Sequence, residues 1–299
     1  MPSDRQVALA SDGRTLTFAE WGDPDGFPVF ALHGTPNSRF ARHYDESKYA
    51  DAGARVITYD RPGYGGSDRR PGRRVVDCVS DVAAIADTLG IERFAVTGAS
   101  GGGPHALAVA ARLPERVSRA ACVVGPAPYD IADFDWFEGM DPLNVREAGW
   151  ALQGEEVLVA ELEREAAELL ERVAADPAKA LGDEWGLSEA DRAQLARPER
   201  HDVMRQDVSE AFQRGVWGWV DDDLCLVGQP WGFDVSEIRI PTRIIYGLTD
   251  VLVPVGHGQW LARNVPGAEV VLEEDLGHFP DPDLVTERIQ WLIGPASLS

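Results

Sequence analysis

Residues 98–102 read Gly-Ala-Ser-Gly-Gly, a serine enclosed by glycines. A serine hydroxyl is a poor nucleophile until a neighbouring base takes its proton. Before Ser100, the run RFAV at 93–96 reads as a strand. After it, a helix is expected from about residue 102. G-x-S-x-G on such a strand-to-helix turn makes a sharp, strained elbow that lifts the hydroxyl above the sheet edge. The helix start also aims the Gly101 N–H and the positive end of the helix dipole at any oxyanion forming there.

A base and a carboxylate are then required, and the last quarter of the chain supplies both. Asp250 follows the strand-like PTRIIYG (241–247), and His278 follows AEVVLEE (268–274). Ligands of open α/β sheets bind beyond the carboxyl ends of the strands, and Ser100, Asp250 and His278 are all expected there. Asp250 would orient the imidazole and stabilise its charged form; His278 would take the Ser100 proton. HGTP (33–36), after the apolar PVFAL, offers the Thr35 N–H as a second oxyanion donor beside that of Gly101. One such donor is worth roughly 3–4 kcal/mol of transition-state stabilisation.

Rival residues are weaker. His257 opens a helix and lacks the strand-end position; Asp130 is the rival acid, after RAACVVG (119–125). Asp275 is too close in sequence to His278 and belongs to the turn. His33 is expected to bond loop backbone, and His105 to pack within its helix; His43 and His201 have no evident partner. No His, Cys or carboxylate spacing marks a metal site. In DRPGYGGS (60–67), Asp60 and Arg61 read as structural, with Tyr64 beside the pocket.

The elements that must position these residues alternate. Strands are expected at 14–22, 28–34 and 54–60, with helices at 39–52 and 74–90. Further helices are expected at 257–265 and 283–293. Such alternation predicts an α/β fold, a mostly parallel sheet with helices on both faces. Between 126 and 230 the rhythm breaks. Residues 155–175 carry Leu158, Leu162, Leu169 and Val173 on one face. Ser188 and Asp191 make a capping pattern, and 199–214 reads as helix. The expected division is a core of 1–125 and 231–299 with a helical cap at 126–230.

The chain has 299 residues, 44% apolar, with 50 acidic against 28 basic side chains and a formal charge of −22. That charge argues against nucleic acid or an anionic membrane as partner. Residues 126–234 hold 26 acidic and 9 basic side chains, read as a solvated helix face. Five of nine tryptophans fall in the cap at 126–230: Trp136, Trp150, Trp185, Trp217 and Trp219. They read as cap core, or as an apolar roof over the pocket. Cys78, Cys122 and Cys225 form no disulfide or metal pattern. The N-terminus lacks a leader-like pattern and no apolar run reaches membrane length, so the expected compartment is the cytoplasm.

HGTP, DRPGYGGS, GASGGG, GLTDVLVP and GHF, in this order, resemble the α/β-hydrolase fold family over about 20–125 and 235–293. The resemblance implies an eight-stranded, mostly parallel sheet, a lid after the sixth strand, and neither cofactor nor metal. Gly101 departs from relatives that carry a larger residue after the nucleophile, and reads as space left beside Ser100. The expected activity is hydrolysis of a carboxylic ester through an acyl-enzyme, with a small apolar or aromatic ester as substrate. The same machinery on a C–C bond, a lactone or an N-terminal residue, as in iminopeptidases, is the alternative. A non-catalytic ligand receptor is the distant one.

Overall fold

A computed structural model describes residues 4–129 and 131–294. Eight strands form one sheet: β1 (Gln6–Leu9), β2 (Thr15–Gly22), β3 (Phe27–Leu32), β4 (Ala54–Tyr59), β5 (Phe94–Ala99), β6 (Val117–Val123), β7 (Thr242–Gly247) and β8 (Glu269–Glu273). Their order is β1-β2-β4-β3-β5-β6-β7-β8. The β1–β2 and β2–β4 pairs are antiparallel; every later pair is parallel. The central parallel strands are apolar because both faces are covered, while the edge strand β8 leaves Val270 and Leu272 exposed.

Ten α-helices accompany them among the described residues. They are α1 (Ser47–Asp51), α2 (Cys78–Thr88), α3 (Gly102–Arg112), α4 (Pro142–Gln153), α5 (Glu155–Ala175), α6 (Glu189–Leu195), α7 (His201–Ala211), α8 (Trp217–Val227), α9 (Val255–Asn264) and α10 (Val285–Ile293). One core lies between the sheet and α2, α3 and α9, with Phe30, Ile85, Leu107 and Leu261 at its centre. The other lies under α1 and α10, around Tyr49, Val56, Ile289 and Leu292.

Helices α4–α8 occupy the interval between β6 and β7, which adds no strand among the described residues. In α5, Leu158, Leu162, Ala166, Leu169 and Val173 form the buried stripe. Each such leucine contributes roughly 1.5–3 kcal/mol by leaving water. Ser188 caps α6 by accepting the Asp191 N–H at 3.1 Å.

Three local expectations change. The helix expected over 39–52 shrinks to α1, because distant partners take the polar groups just before it. Asp60 accepts the Arg39 N–H at 2.7 Å, Asp207 accepts the Ser38 N–H at 2.7 Å, and Thr58 Oγ1 donates to the Arg39 carbonyl. Strand β1, absent from the sequence reading, is a short edge strand whose Val7 and Leu9 face solvent. Helices α4 and α8 were also unread; α8 starts among tryptophans and a glycine, which mask its helical spacing.

Candidate active site

Adjacent parallel strands lie about 4.8 Å apart, so strand order decides which loop tips meet. Because β3 neighbours β5, the Thr35 loop lies against the Ser100 turn. Because β7 neighbours β8, Asp250 and His278 emerge side by side.

Ser100 sits between β5 and α3 with φ of 52°, the left-handed region that costs a non-glycine residue energy. Its N–H bonds the Val123 carbonyl at 2.9 Å, and its carbonyl accepts the Gly103 N–H at 2.8 Å. A Cβ on Gly98 would overlap the Gly102 carbonyl, and one on Gly102 would overlap the Leu32 carbonyl. Bare backbone is therefore what lets the turn close. His105, one turn into α3, bonds the Gly101 carbonyl at 2.8 Å. It braces the elbow rather than merely packing, and burial, then Arg61, pulls its pKa down to about 3.

His278 Nδ1 lies 2.8 Å from Asp250 Oδ2. The other Asp250 oxygen accepts the N–H groups of Leu252 and Val253 at 2.8 and 2.9 Å. Burial acts to lower the His278 pKa, but the charge and hydrogen bond of Asp250, helped by Asp191, outweigh it and hold it above the ordinary value. Ser100 and His278 line one cavity of about 390 Å³. Ser100 Oγ makes no hydrogen bond to His278 among the described residues; such contacts commonly tighten only with substrate bound.

Among the described residues, the N–H groups of Thr35 and Gly101 have no protein acceptor. The reading of Gly101 as open space is corrected: a Cβ there would collide with Thr35 Oγ1. The Thr35 side chain already fills that position, and glycine is needed to admit it.

Thr35 is held in turn by a residue the sequence reading missed. Its Oγ1 donates to Asp222 of α8 at 2.6 Å. Asp222 is wholly buried and also binds Arg61, Arg73 (2.6 Å) and Tyr64 (2.9 Å). Although burial opposes it, the two guanidinium groups hold its pKa well below the carboxylate range. Arg61 continues to the His33 carbonyl and, at 2.9 Å, to that of Gly34. His33 behaves as expected, with Nδ1 on the Gly34 carbonyl (2.7 Å) and Nε2 accepting the Arg61 N–H (3.2 Å). Tyr64, expected beside the pocket, lines neither cavity at the site. The one signal for Asp222 was three successive acids inside the apolar run 216–227.

The inserted helices hold this loop at further points, and reach others similarly. Asp207 of α7 accepts from the Ser38 N–H and from Asn37 Nδ2. Asp191 of α6 accepts the Phe279 N–H, next to His278, at 2.8 Å. Beside Asp250, Asp141 donates its N–H to the Val251 carbonyl and Asn144 Nδ2 donates to that of Leu252.

A second chamber, of about 90 Å³, is lined by Thr35, Ser100 and Gly101 together with Glu147 and Asp223. Trp219 donates to Glu147 at 2.7 Å. Burial raises both carboxyls, Glu147 to about 7, and the Glu147 charge adds to the rise at Asp223. Of the five inserted tryptophans, only Trp136 borders either chamber; Trp150 and Trp219 pack among the helices.

The rivals fall elsewhere. His257 is buried against Phe134 and Trp136 and accepts the Ala127 N–H at 3.1 Å; burial takes its pKa down to about 4. Asp130 lies outside the described residues. His105, Asp222 and Cys225 have their donor atoms within 4.8 Å of one another. However, Asp222 already binds two guanidinium groups, and burial pushes the Cys225 thiol up to about 12. That set is built for arginine, not for a metal ion.

The sheet order, the elbow after β5 and the two strand-end partners define an α/β-hydrolase arrangement. The chain belongs to the alpha/beta hydrolase fold family, whose characteristic sequence matches residues 28–280. It is 37% identical over 143 residues to a non-heme chloroperoxidase of Streptomyces lividans, covering 46% of this chain and 51% of that protein. It is 32% identical over 124 residues to a proline iminopeptidase of Xylella fastidiosa, covering 39% and 38%. The matches thus span about half or less of these curated relatives. The solved structure of a thermophilic esterase from Thermogutta terrifontis, with malate bound, superposes with a TM-score of 0.68 at 23% identity, covering 97% of this chain and 98% of that one. That likeness concerns the fold. Among the described residues no helix is long and apolar enough to cross a membrane.

Proposed function

We propose that the protein is a serine hydrolase that cleaves a carboxylic ester through an acyl-enzyme. The observation that carries this reading is the 2.8 Å His278–Asp250 pair sharing a cavity with a left-handed Ser100. Ser100 Oγ attacks the carbonyl carbon while His278 Nε2 takes its proton. The N–H groups of Thr35 and Gly101 hold the oxyanion. As the intermediate collapses, His278 returns the proton to the departing alcohol. Water, deprotonated by His278, then attacks the acyl-enzyme and releases the acid. These steps use protein groups and water alone. An apolar or aromatic small ester suits a cavity bounded by Val203, Met204, Phe279 and Trp291. The three free thiols, all buried, support a cytoplasmic setting.

A fluorophosphonate probe should label the wild type rapidly and Ser100→Ala not at all. A panel of p-nitrophenyl esters should be turned over faster than aminoacyl naphthylamides; the reverse preference would replace esterase by peptidase. The neutral imidazole is the active form, so kcat/KM should rise with pH. Its midpoint should lie above about 6.5, because His278 is raised from its ordinary value. A profile flat from about pH 5 to 9 would remove His278 as the base.

A further inference from the structure

Four arginines line the large cavity: Arg42, Arg200, Arg243 and Arg288. Three are neutralised. Arg42 pairs with Glu46 at 2.9 Å, Arg243 with Glu269 at 2.7 Å, and Arg288 with Glu273. Arg200, just ahead of α7, has no carboxylate within 4.0 Å among the described residues. Its side chain finds one long hydrogen bond, 3.4 Å to Gln194 Oε1. The nearby acids are spoken for: Arg197 takes Glu199 (3.2 Å), Asp281 (3.3 Å) and Asp283 (3.4 Å).

An unpaired guanidinium in a half-buried wall is costly unless something anionic visits it. Burial, and next Arg197, bring its pKa below the ordinary value, while Tyr44, Asp281 and Glu199 act in the opposite direction. The other acid on this wall, Asp207, is occupied by Ser38 and Asn37 and raised to about 7 by burial, so it competes weakly for the cation. The planar fork of an arginine matches a carboxylate with two parallel hydrogen bonds. Ser100 and His278 open into the same space.

We propose that Arg200 is a specificity residue that binds a carboxylate on the substrate remote from the scissile bond, so that the preferred substrates are monoesters of dicarboxylic acids. This deepens the serine-esterase reading and rests on it. Anionic substrate replaces the missing partner of Arg200, while the ester carbonyl sits at Ser100.

The test compares monomethyl adipate, suberate and sebacate with the matching methyl esters that end in a carboxamide. Wild type should favour the carboxylate ester of the best length by about tenfold or more in kcat/KM. Arg200→Gln should reduce that ratio by about tenfold to a hundredfold, the worth of a charged hydrogen bond. Arg200→Lys should recover part of it. A wild-type ratio near one, or a ratio that survives Arg200→Gln, overturns the proposal. Binding is read separately by calorimetry, titrating monomethyl suberate into Ser100→Ala with and without Arg200→Gln. At least tenfold weaker binding in the double variant supports the site, and equal affinity refutes it. Should wild type hydrolyse no ester while this binding difference persists, the esterase reading fails and the carboxylate site stands.

Discussion

The outer face of α5 and the inner ends of α6, α7 and α8 belong to one acidic insertion, yet their carboxylates do opposite things. On α5, Glu156, Glu163, Glu168 and Glu171 are exposed, while the leucine stripe beneath makes the contacts. Asp191, Asp207 and Asp222 are buried and accept hydrogen bonds from the loops of the candidate site: Asp191 from the loop of His278, Asp207 and Asp222 from the loop of Thr35. Charge that water already solvates contributes little to a fold. Charge carried inside must be matched atom by atom, and the matching fixes geometry. The insertion therefore does more than cover the pocket: its aspartates position the loops beside Ser100 and His278.

The sharpest way to break this contrast is Asp222→Ala. The substitution leaves Arg61 and Arg73 buried without a counter-charge and frees Thr35 Oγ1. Removing one partner of a buried ion pair costs about 3–5 kcal/mol, which urea denaturation would read directly. Esterase activity should fall beyond what unfolding explains, since the Thr35 loop loses its anchor. Stability within about 0.5 kcal/mol of wild type would show that the network is ornamental.

Asp207→Asn sharpens the comparison at a smaller scale. Burial raises Asp207 to about 7 from an ordinary aspartate value of about 3.9, against the hydrogen bonds from Ser38 and Asn37. Between those values the folded chain holds a proton that the unfolded chain releases. Its contribution to stability therefore falls as pH rises through the window. Asparagine keeps one acceptor and carries no charge, so the variant should be less stable by about 1–2 kcal/mol near pH 4. The gap should narrow toward pH 8. A gap that widens would mean that Asp207 is ionised throughout.

How much of this was legible follows from how local each determinant is. Ser100, Asp250 and His278 each follow a recognisable strand, so the parallel alternation places all three at one rim without any knowledge of packing. Thr35 follows β3 in the same way. Gly101 was misread because the group that crowds it, Thr35 Oγ1, comes from a different strand connection. The raised His278 depends partly on Asp191, whose role as a cap for α6 was visible while its reach to Phe279 was not. Three adjacent acids at 221–223 point in different directions on a helix, to Arg69, to Arg61 and Arg73, and toward Glu147. Composition counts them alike.

The smallest effect belongs to the outer face, and it tests the other half of the contrast. Glu156, Glu163 and Glu171 make no ion pair among the described residues. Changing all three to glutamine removes three of the 50 acidic charges and disturbs no buried contact. Surface substitutions of this kind typically stay within about ±0.5 kcal/mol each. Here the sign should tilt toward stabilisation, because a chain of net charge −22 repels itself. Added salt should shrink the difference as it screens that repulsion, which falls off over about 8 Å at physiological ionic strength. The measurement is thermal unfolding of wild type and triple variant at low and high salt, alongside ester turnover at a fixed pH. Turnover should not change, because the leucine stripe of α5, not its glutamates, sets where α7 and α8 stand. A marked loss of activity would show that the exposed carboxylates reach the site after all, and would erase the distinction between solvated and matched charge.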